Sequence, residues 1–290
     1  MRKKLAFIFY KIILLIDLVV FKISKKNFKF YLYDYIRSNL YTKIEKKNLS
    51  IRLFTPSSIS KSRAENFFSK EPGTLEWIND FKILDGEKIV FWDIGANVGT
   101  FSIYAAKKYD QIKVFSFEPS TSNLGILSKN IYLNNLNNKI NINQLALTDK
   151  SNQFLLMKEK HFIEGGAQNT FGEKYDFEGK EFITNNEYNI LGSSIDSLIE
   201  NKILEVPNYV KIDVDGIEHL ILQGSSKTLQ KNQIRSILVE INENFVDQAN
   251  GVKSILKKNG FTEIKKFISS SEREKSSKYS MIYNYIFNKD

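Results

Sequence analysis

The chain has 290 residues and no cysteine, which suits one large domain or a domain plus an extension. It excludes disulfides, thiolate catalysis and Cys-ligated metals, and only two histidines, His161 and His219, argue against a multi-histidine metal site. The net charge of +9 is local: residues 1–47 hold 12 Lys/Arg against 3 Asp/Glu, whereas residues 48–290 hold 30 of each, so the larger part has no basic footprint for nucleic acid.

The charged start Met1-Arg2-Lys3-Lys4 leads into a mostly apolar run from Leu5 to Ile23. No small-residue cleavage site follows, which argues against a signal peptide. Lys11 and Asp17 interrupt the run, so it falls short of the roughly 20 apolar residues of a membrane span. On a helix, Lys4, Lys11 and Lys22 lie on one line, while Leu5, Phe9, Ile12, Ile16 and Val20 fall largely elsewhere. That pattern fits a helix lying in a membrane surface, or one packed on protein. Aromatics interleaved with lysines follow and read as helical to about Tyr41. Such interleaving suits single-stranded nucleic acid, but it also suits a helix whose aromatics face a core. Ile51 to Phe54 reads as a short strand, and Thr74 to Phe81 as a helix with Thr74 as N-cap. The expected division is a basic, aromatic-rich helical extension over 1–75 and a main domain over 76–290.

Ile89 to Ile94 is a nearly continuous apolar run, as in a parallel strand covered on both faces. Asp93 sits near its carboxyl end, Gly95 and Gly99 bracket a turn, and a helix starts at Thr100. The spacing is Asp-x-Gly-x-x-x-Gly rather than the Gly-x-Gly-x-x-Gly of a pyrophosphate cradle. A ligand with a cationic or polar tail fits better, with Asp93 supplying negative charge. The next strand, Ile112 to Phe117, ends at Glu118, where an acid can hydrogen-bond both hydroxyls of a ribose. A helix over Ser122 to Asn134 and a strand over Ile140 to Leu145 follow, and Ala146 to Asp149 then stands where an adenine could be enclosed. Phe154 to Met157 reads as an extended edge element. Residues 161–180 form a long loop in which Gly165 to Thr170 could cover the pocket, or else belong to a mobile insertion. Ser194 is a candidate helix cap.

Tyr209 to Leu220 brings Asp213, Asp215, Glu218 and His219 to one strand end. Asp213 is best placed to face a transferred group as general base. Paired carboxylates would also suit Mg²⁺. For Glu218 the favoured reading is stabilisation of a helix N-terminus, and for His219 packing. Strands over Ile234 to Glu240, Phe261 to Phe267 and Ser280 to Phe287 complete the pattern, with Gly260 closing a helix and a polar loop over 269–278. The fold class is α/β: a Rossmann-like, mostly parallel seven-stranded sheet with an antiparallel C-terminal hairpin.

The stretches Phe-Trp-Asp-Ile-Gly-Ala-Asn-Val-Gly-Thr (91–100), Phe-Glu-Pro-Ser (117–120), Asn130 to Asn134, Val-Lys-Ile-Asp-Val-Asp-Gly-Ile-Glu (210–218), Leu-Gln-Gly (222–224) and Leu-Val-Glu (238–240) resemble, in order, the FkbM family of S-adenosylmethionine-dependent methyltransferases. The family usually has glutamate where Asp215 stands. The resemblance implies a class I methyltransferase domain over 76–290, S-adenosylmethionine as cofactor, and transfer to a hydroxyl of a sugar, glycan or natural product; no metal site is assigned. It puts Asp93, Gly95, Asn97 and Gly99 around the methionine part, Glu118 on the ribose and Asp213 near the acceptor. The expected setting is cytoplasmic, with peripheral membrane contact through residues 1–26 and no nucleic-acid partner. A nicotinamide oxidoreductase on a similar sheet and a non-catalytic membrane-associated scaffold are the alternatives.

Overall fold

The computed structural model describes residues 2–84, 86–268 and 279–289. The polar loop expected over 269–278 lies outside the described residues. Two compact units divide between Tyr41 and Thr42. The first is a helical hairpin, α1 (Arg2–Ser24) and α2 (Lys29–Ser38). Asp17, the acid that interrupts the apolar run, is buried inside it. Its Oδ1 accepts from the backbone N–H groups of Phe28 at 2.7 Å and Lys29 at 3.1 Å, and Lys29 Nζ lies 3.5 Å from Oδ2. It thereby satisfies orphan donors at the start of α2. Among the described residues, no helix is long and apolar enough to cross a membrane.

The second unit starts within the hairpin β1 (Tyr41–Lys46) and β2 (Leu49–Phe54), followed by α3 (Ser58–Glu65) and α4 (Pro72–Asn79). Then come β3 (Ile89–Ile94), α5 (Thr100–Lys108), β4 (Ile112–Phe117), α6 (Thr121–Leu133) and β5 (Ile140–Asn143). Four strands, β6 (Ala146–Leu147), β7 (Gln153–Lys158), β8 (Thr170–Phe171) and β9 (Glu187–Ser193), build a separate small sheet in the order β6-β9-β7-β8. The chain returns through α7 (Ile195–Glu200), β10 (Tyr209–Ile212), α8 (Glu218–Gln223), β11 (Ser236–Asn242), α9 (Val246–Lys258), β12 (Phe261–Ile268) and β13 (Ile282–Lys289). The main sheet has seven strands among the described residues, ordered β12-β13-β11-β10-β3-β4-β5. From β11 to β5 the pairs are parallel; β13 runs antiparallel to both β11 and β12. This is the expected α/β class with its antiparallel terminal hairpin.

All six residues of β3 are buried. Their alternation feeds two cores: Val90, Trp92 and Ile94 join one, and Ile89 and Phe91 the other. Burying a phenylalanine as completely as Phe91 stabilises the fold by about 1.5–3 kcal/mol. The chain winds outward from β3 to β5 and then returns to the other flank of β3 as β10. That reversal opens a crevice beyond the carboxyl ends of β3 and β10.

The division at Tyr41/Thr42 falls well before the boundary near residue 75 expected from composition. Ile51, Leu53, Phe67 and Leu75 are buried in one cluster with Phe91 and Ile103. Two asparagines of the α6 region pin β2: Asn130 accepts from Phe54 N at 2.6 Å, and Asn134 accepts from Arg52 N at 3.0 Å. The fourth helix also starts earlier than expected. Pro72 occupies its first turn, Glu71 is the N-cap residue, and Thr74 is buried within the helix. Phe154 to Met157 lies in β7, inside the small sheet rather than at an edge of the main one. Ser194 does cap α7, accepting from Ser197 N at 3.2 Å.

Candidate active site

After β3 the chain needs a tight turn to enter α5, and Gly95, Asn97 and Gly99 all take positive φ there. Asparagine tolerates that region better than other side chains. At Gly95, φ is +83° and a Cβ would lie 1.9 Å from the Asp213 carbonyl oxygen, so only glycine lets the turn sit against the end of β10. The Gly95 and Ala96 N–H groups donate to Phe117 O at 3.0 and 2.9 Å, tying the turn to β4. Asn97 N donates to Glu118 Oε2 at 2.7 Å, and Ser120 N donates to Oε1 at 2.9 Å. The carboxylate of Glu118 is thus held at the crevice wall with acceptor capacity remaining. Its burial pushes its pKa up to about 7, against the pull of those backbone donors.

The crevice has two lobes. One has apolar walls from Phe117, Leu145, Leu147, Met157 and Phe171, with Glu118 among them. The other is more polar and is lined by Arg63, Lys70, Glu71 and Lys211 among others. Gly95, Asn97, Ala167, Asp213 and Asp215 line both and form the shared neck. The loop at 165–170 closes over this neck: Gly166 O accepts from Asn97 Nδ2 at 2.6 Å and from Asn123 Nδ2 at 3.2 Å. Gln168 N donates to Asp215 Oδ2 at 2.6 Å. The long loop is therefore anchored on the crevice by backbone groups.

Of the residues expected from sequence, Gly95, Asn97, Glu118 and Asp213 come together on the crevice. Asp93 and Gly99 stand behind it. Asp93 is fully buried, and its Oδ2 accepts from the N–H and hydroxyl of Ser102 at 3.0 and 2.6 Å in the first turn of α5. Gly99 packs against α6, where a Cβ would lie 2.6 Å from Leu127 Cδ1. Glu218 stands in the first turn of α8, as expected, but its carboxylate reaches back to pin the turn that precedes the helix. Its carboxylate accepts from Val214 N at 3.1 Å, from Gly216 N at 3.1 and 3.2 Å, and from Gln248 Nε2 at 2.7 Å. His219 packs edge-on against Phe245 and lines neither lobe.

Sequence reasoning missed three cations and an acid. Lys211 is almost fully buried, stands opposite Asp93 in register and donates to Asp213 Oδ2 at 2.8 Å. Burial alone would lower its pKa, but Asp213, Asp93 and Glu71 outweigh that and raise it. A lysine between Val210 and Ile212 in a buried strand was the available signal. Arg63, from α3, donates through Nε to Gly165 O at 2.8 Å. Burial lowers its pKa, while Glu71, Asp213, Asp215 and Glu118 pull it up. Nothing in the local sequence marks Arg63, Lys70 or Glu71, which a tertiary approach brings to the lobe.

Residues 93–274 match the family model described as the methyltransferase FkbM domain. The chain belongs to the FkbM methyltransferase family. Methyltransferase sdnD of Sordaria araneosa is 27% identical over 172 residues, covering 51% of this chain and 64% of that protein. The hexuronic acid methyltransferase AglP of Haloferax volcanii is 27% identical over 188 residues, covering 62% of this chain and 66% of that protein. The matched stretch spans just under two thirds of each of these two relatives. Among solved structures, a methyltransferase FkbM from Methylobacillus flagellatus KT is similar at 15% identity and a TM-score of 0.45, covering 72% of this chain and 45% of that one.

In this FkbM domain Asp215 has a left-handed backbone, φ +64°, just before Gly216 at φ +120°. That turn aims its carboxylate at the anchored loop. Glu218 pins the same turn from below, and its burial pushes its pKa up to about 7. A buried acid whose folded pKa lies above its unfolded one stabilises the fold at low pH and loses that contribution as pH rises through about 7. Glu218→Gln should therefore flatten the fall in melting temperature between about pH 5 and about pH 8. An unchanged profile by scanning fluorimetry would remove Glu218 as its source.

Proposed function

We propose that the FkbM domain transfers a methyl group from S-adenosylmethionine to a hydroxyl of a sugar, glycan or natural product. The observation behind this reading is the two-lobed crevice whose neck carries Gly95, Asn97 and Asp213. The apolar lobe suits an adenine, with Glu118 at its wall to accept from ribose hydroxyls. The polar lobe balances Arg63, Lys70 and Lys211 against Glu71, Asp213 and Asp215, which suits the zwitterionic amino-acid end. Asn97 Oδ1 is buried at the neck without a hydrogen-bond partner, and a ligand donor there would satisfy it.

When bound, the sulfonium supplies an already activated methyl group, so the protein's remaining tasks are alignment and proton removal. As an acceptor hydroxyl gains a bond to carbon, its proton becomes strongly acidic. The Asp213 carboxylate, held by Lys211, is the group suited to take it. AglP is named for hexuronic acids, which makes glycans bearing a uronic acid the first acceptors to try.

Calorimetry with S-adenosylmethionine tests the reading, with NADH and NADPH as controls. Binding of S-adenosylmethionine alone is expected; no binding by folded protein would overturn it. Glu118→Ala should weaken affinity about 10- to 100-fold, the effect of losing hydrogen bonds to a charged acceptor. Because ribose hydroxyls donate to the ionised form, wild-type affinity should fall as pH drops below about 7. Unchanged affinity in Glu118→Ala would remove Glu118 from the ribose.

A further inference from the structure

We infer that the α1–α2 hairpin docks on an anionic lipid surface, lying in it rather than crossing it. The side of α1 turned away from its buried Asp17 carries Leu5, Ile8, Ile12, Leu15, Val19 and Ile23, which are 44–82% exposed. Successive residues of a helix turn by roughly 100°, which brings these six into one stripe and sets Lys4, Lys11 and Lys22 along one border of it. An exposed apolar stripe this long, edged by cations, is the pattern of an interfacial helix.

Two further observations select lipid as the occupant. The one acid of α1 is withdrawn: Asp17 is 4% exposed and is occupied by Phe28 N, Lys29 N and Lys29 Nζ. The outward face of α1 therefore presents apolar groups and lysines without a compensating carboxylate, complementary to anionic headgroups over acyl chains. On α2, Phe30, Tyr31, Tyr33 and Tyr35 are 54–75% exposed, and tyrosine is suited to the boundary between headgroups and hydrocarbon. No described helix meets the length and apolarity of a span, which leaves the interface.

The 290-residue chain should float with phosphatidylglycerol–phosphatidylcholine vesicles and not with phosphatidylcholine alone. Lys4→Glu, Lys11→Glu and Lys22→Glu combined should weaken binding at least ~10-fold, since each lysine near the surface contributes about 1 kcal/mol. Leu15→Glu with Val19→Glu should abolish it, with circular dichroism and the thermal melt checking that both variants stay folded. In Leu15→Trp, brominated acyl chains should quench the new indole, whereas Trp77 and Trp92 are buried in the sheet domain. Equal flotation on both vesicle types would overturn the inference. A lipid-independent dimer that Leu15→Glu disrupts, with no flotation, would overturn it in favour of a second copy of the chain.

Discussion

Lys211→Met should destabilise the sheet domain by about 3–5 kcal/mol, the usual effect of removing one partner from a buried ion pair. For a domain of this size that is a drop in melting temperature on the order of 10 °C. Methionine fills similar volume, so a cavity contributes little and the loss is electrostatic. Lys211 stands between two acids. It donates to Asp213 at 2.8 Å and faces fully buried Asp93 across the β3–β10 pair. Asp93 keeps only Ser102 without it, because its Oδ1 is buried with no hydrogen-bond partner. Burial already raises the Asp93 pKa, and Lys211 is the largest opposing influence. Removing the lysine raises that pKa further, so Asp93 takes up a proton on folding. A folded pKa above the unfolded value means stability present at low pH and lost as pH rises. The deficit of Lys211→Met should therefore be smaller near about pH 5 than near about pH 8. Thermal melts at both values check this. A deficit below ~1 kcal/mol at the higher pH would show that Lys211 is not the charge that makes Asp93 tolerable.

Asp213→Asn should lower kcat by about 10²- to 10⁴-fold, the range typical of removing a general base. The amide still accepts from Lys211, so geometry is retained while basicity is lost. Affinity for S-adenosylmethionine should fall much less than kcat, since Glu71 and Asp215 remain in the polar lobe to meet the cofactor's amino group. The measurement is single-turnover release of S-adenosylhomocysteine with an acceptor found among uronic-acid glycans. An unchanged kcat would move proton removal to another group, with Asp215, also at the neck, next in line. An equal loss of kcat and cofactor affinity would instead make Asp213 a binding residue.

The two acids illustrate how far a strand-end motif can be read. Asp93 and Glu118 close consecutive parallel strands, and a linear pattern treats them alike. The pleat separates them. Asp93 points to the face covered by α5 and is enclosed by Ser102 and Lys211. Glu118 lies one residue beyond β4, past the last ladder pair, where its carboxylate reaches the crevice. Gly99 was read as part of the ligand turn for the same reason; its missing side chain makes room for Leu127 of α6 instead.

Short-range pattern was enough for the seven strands of the main sheet, most of the helices, the hairpin edge and the acid-bearing strand ends, because hydrophobic period and turn chemistry are local; β1 and most of the small sheet, β6, β8 and β9, were not legible in it. The order of strands, with the reversal between β3 and β10 that opens the crevice, rests on pairings between residues more than a hundred positions apart. The same distance hid Arg63 and Glu71. They belong to a segment that the expected boundary near residue 75 grouped with the basic arm, but whose apolar residues Ile51, Leu53, Phe67 and Leu75 pack into the sheet's core. Charge composition is additive along the chain and blind to contact. Which face a side chain buries, and which opposite charge it meets there, is set when strands and helices pack, and that packing makes Lys211 the partner of Asp93 and Asp213.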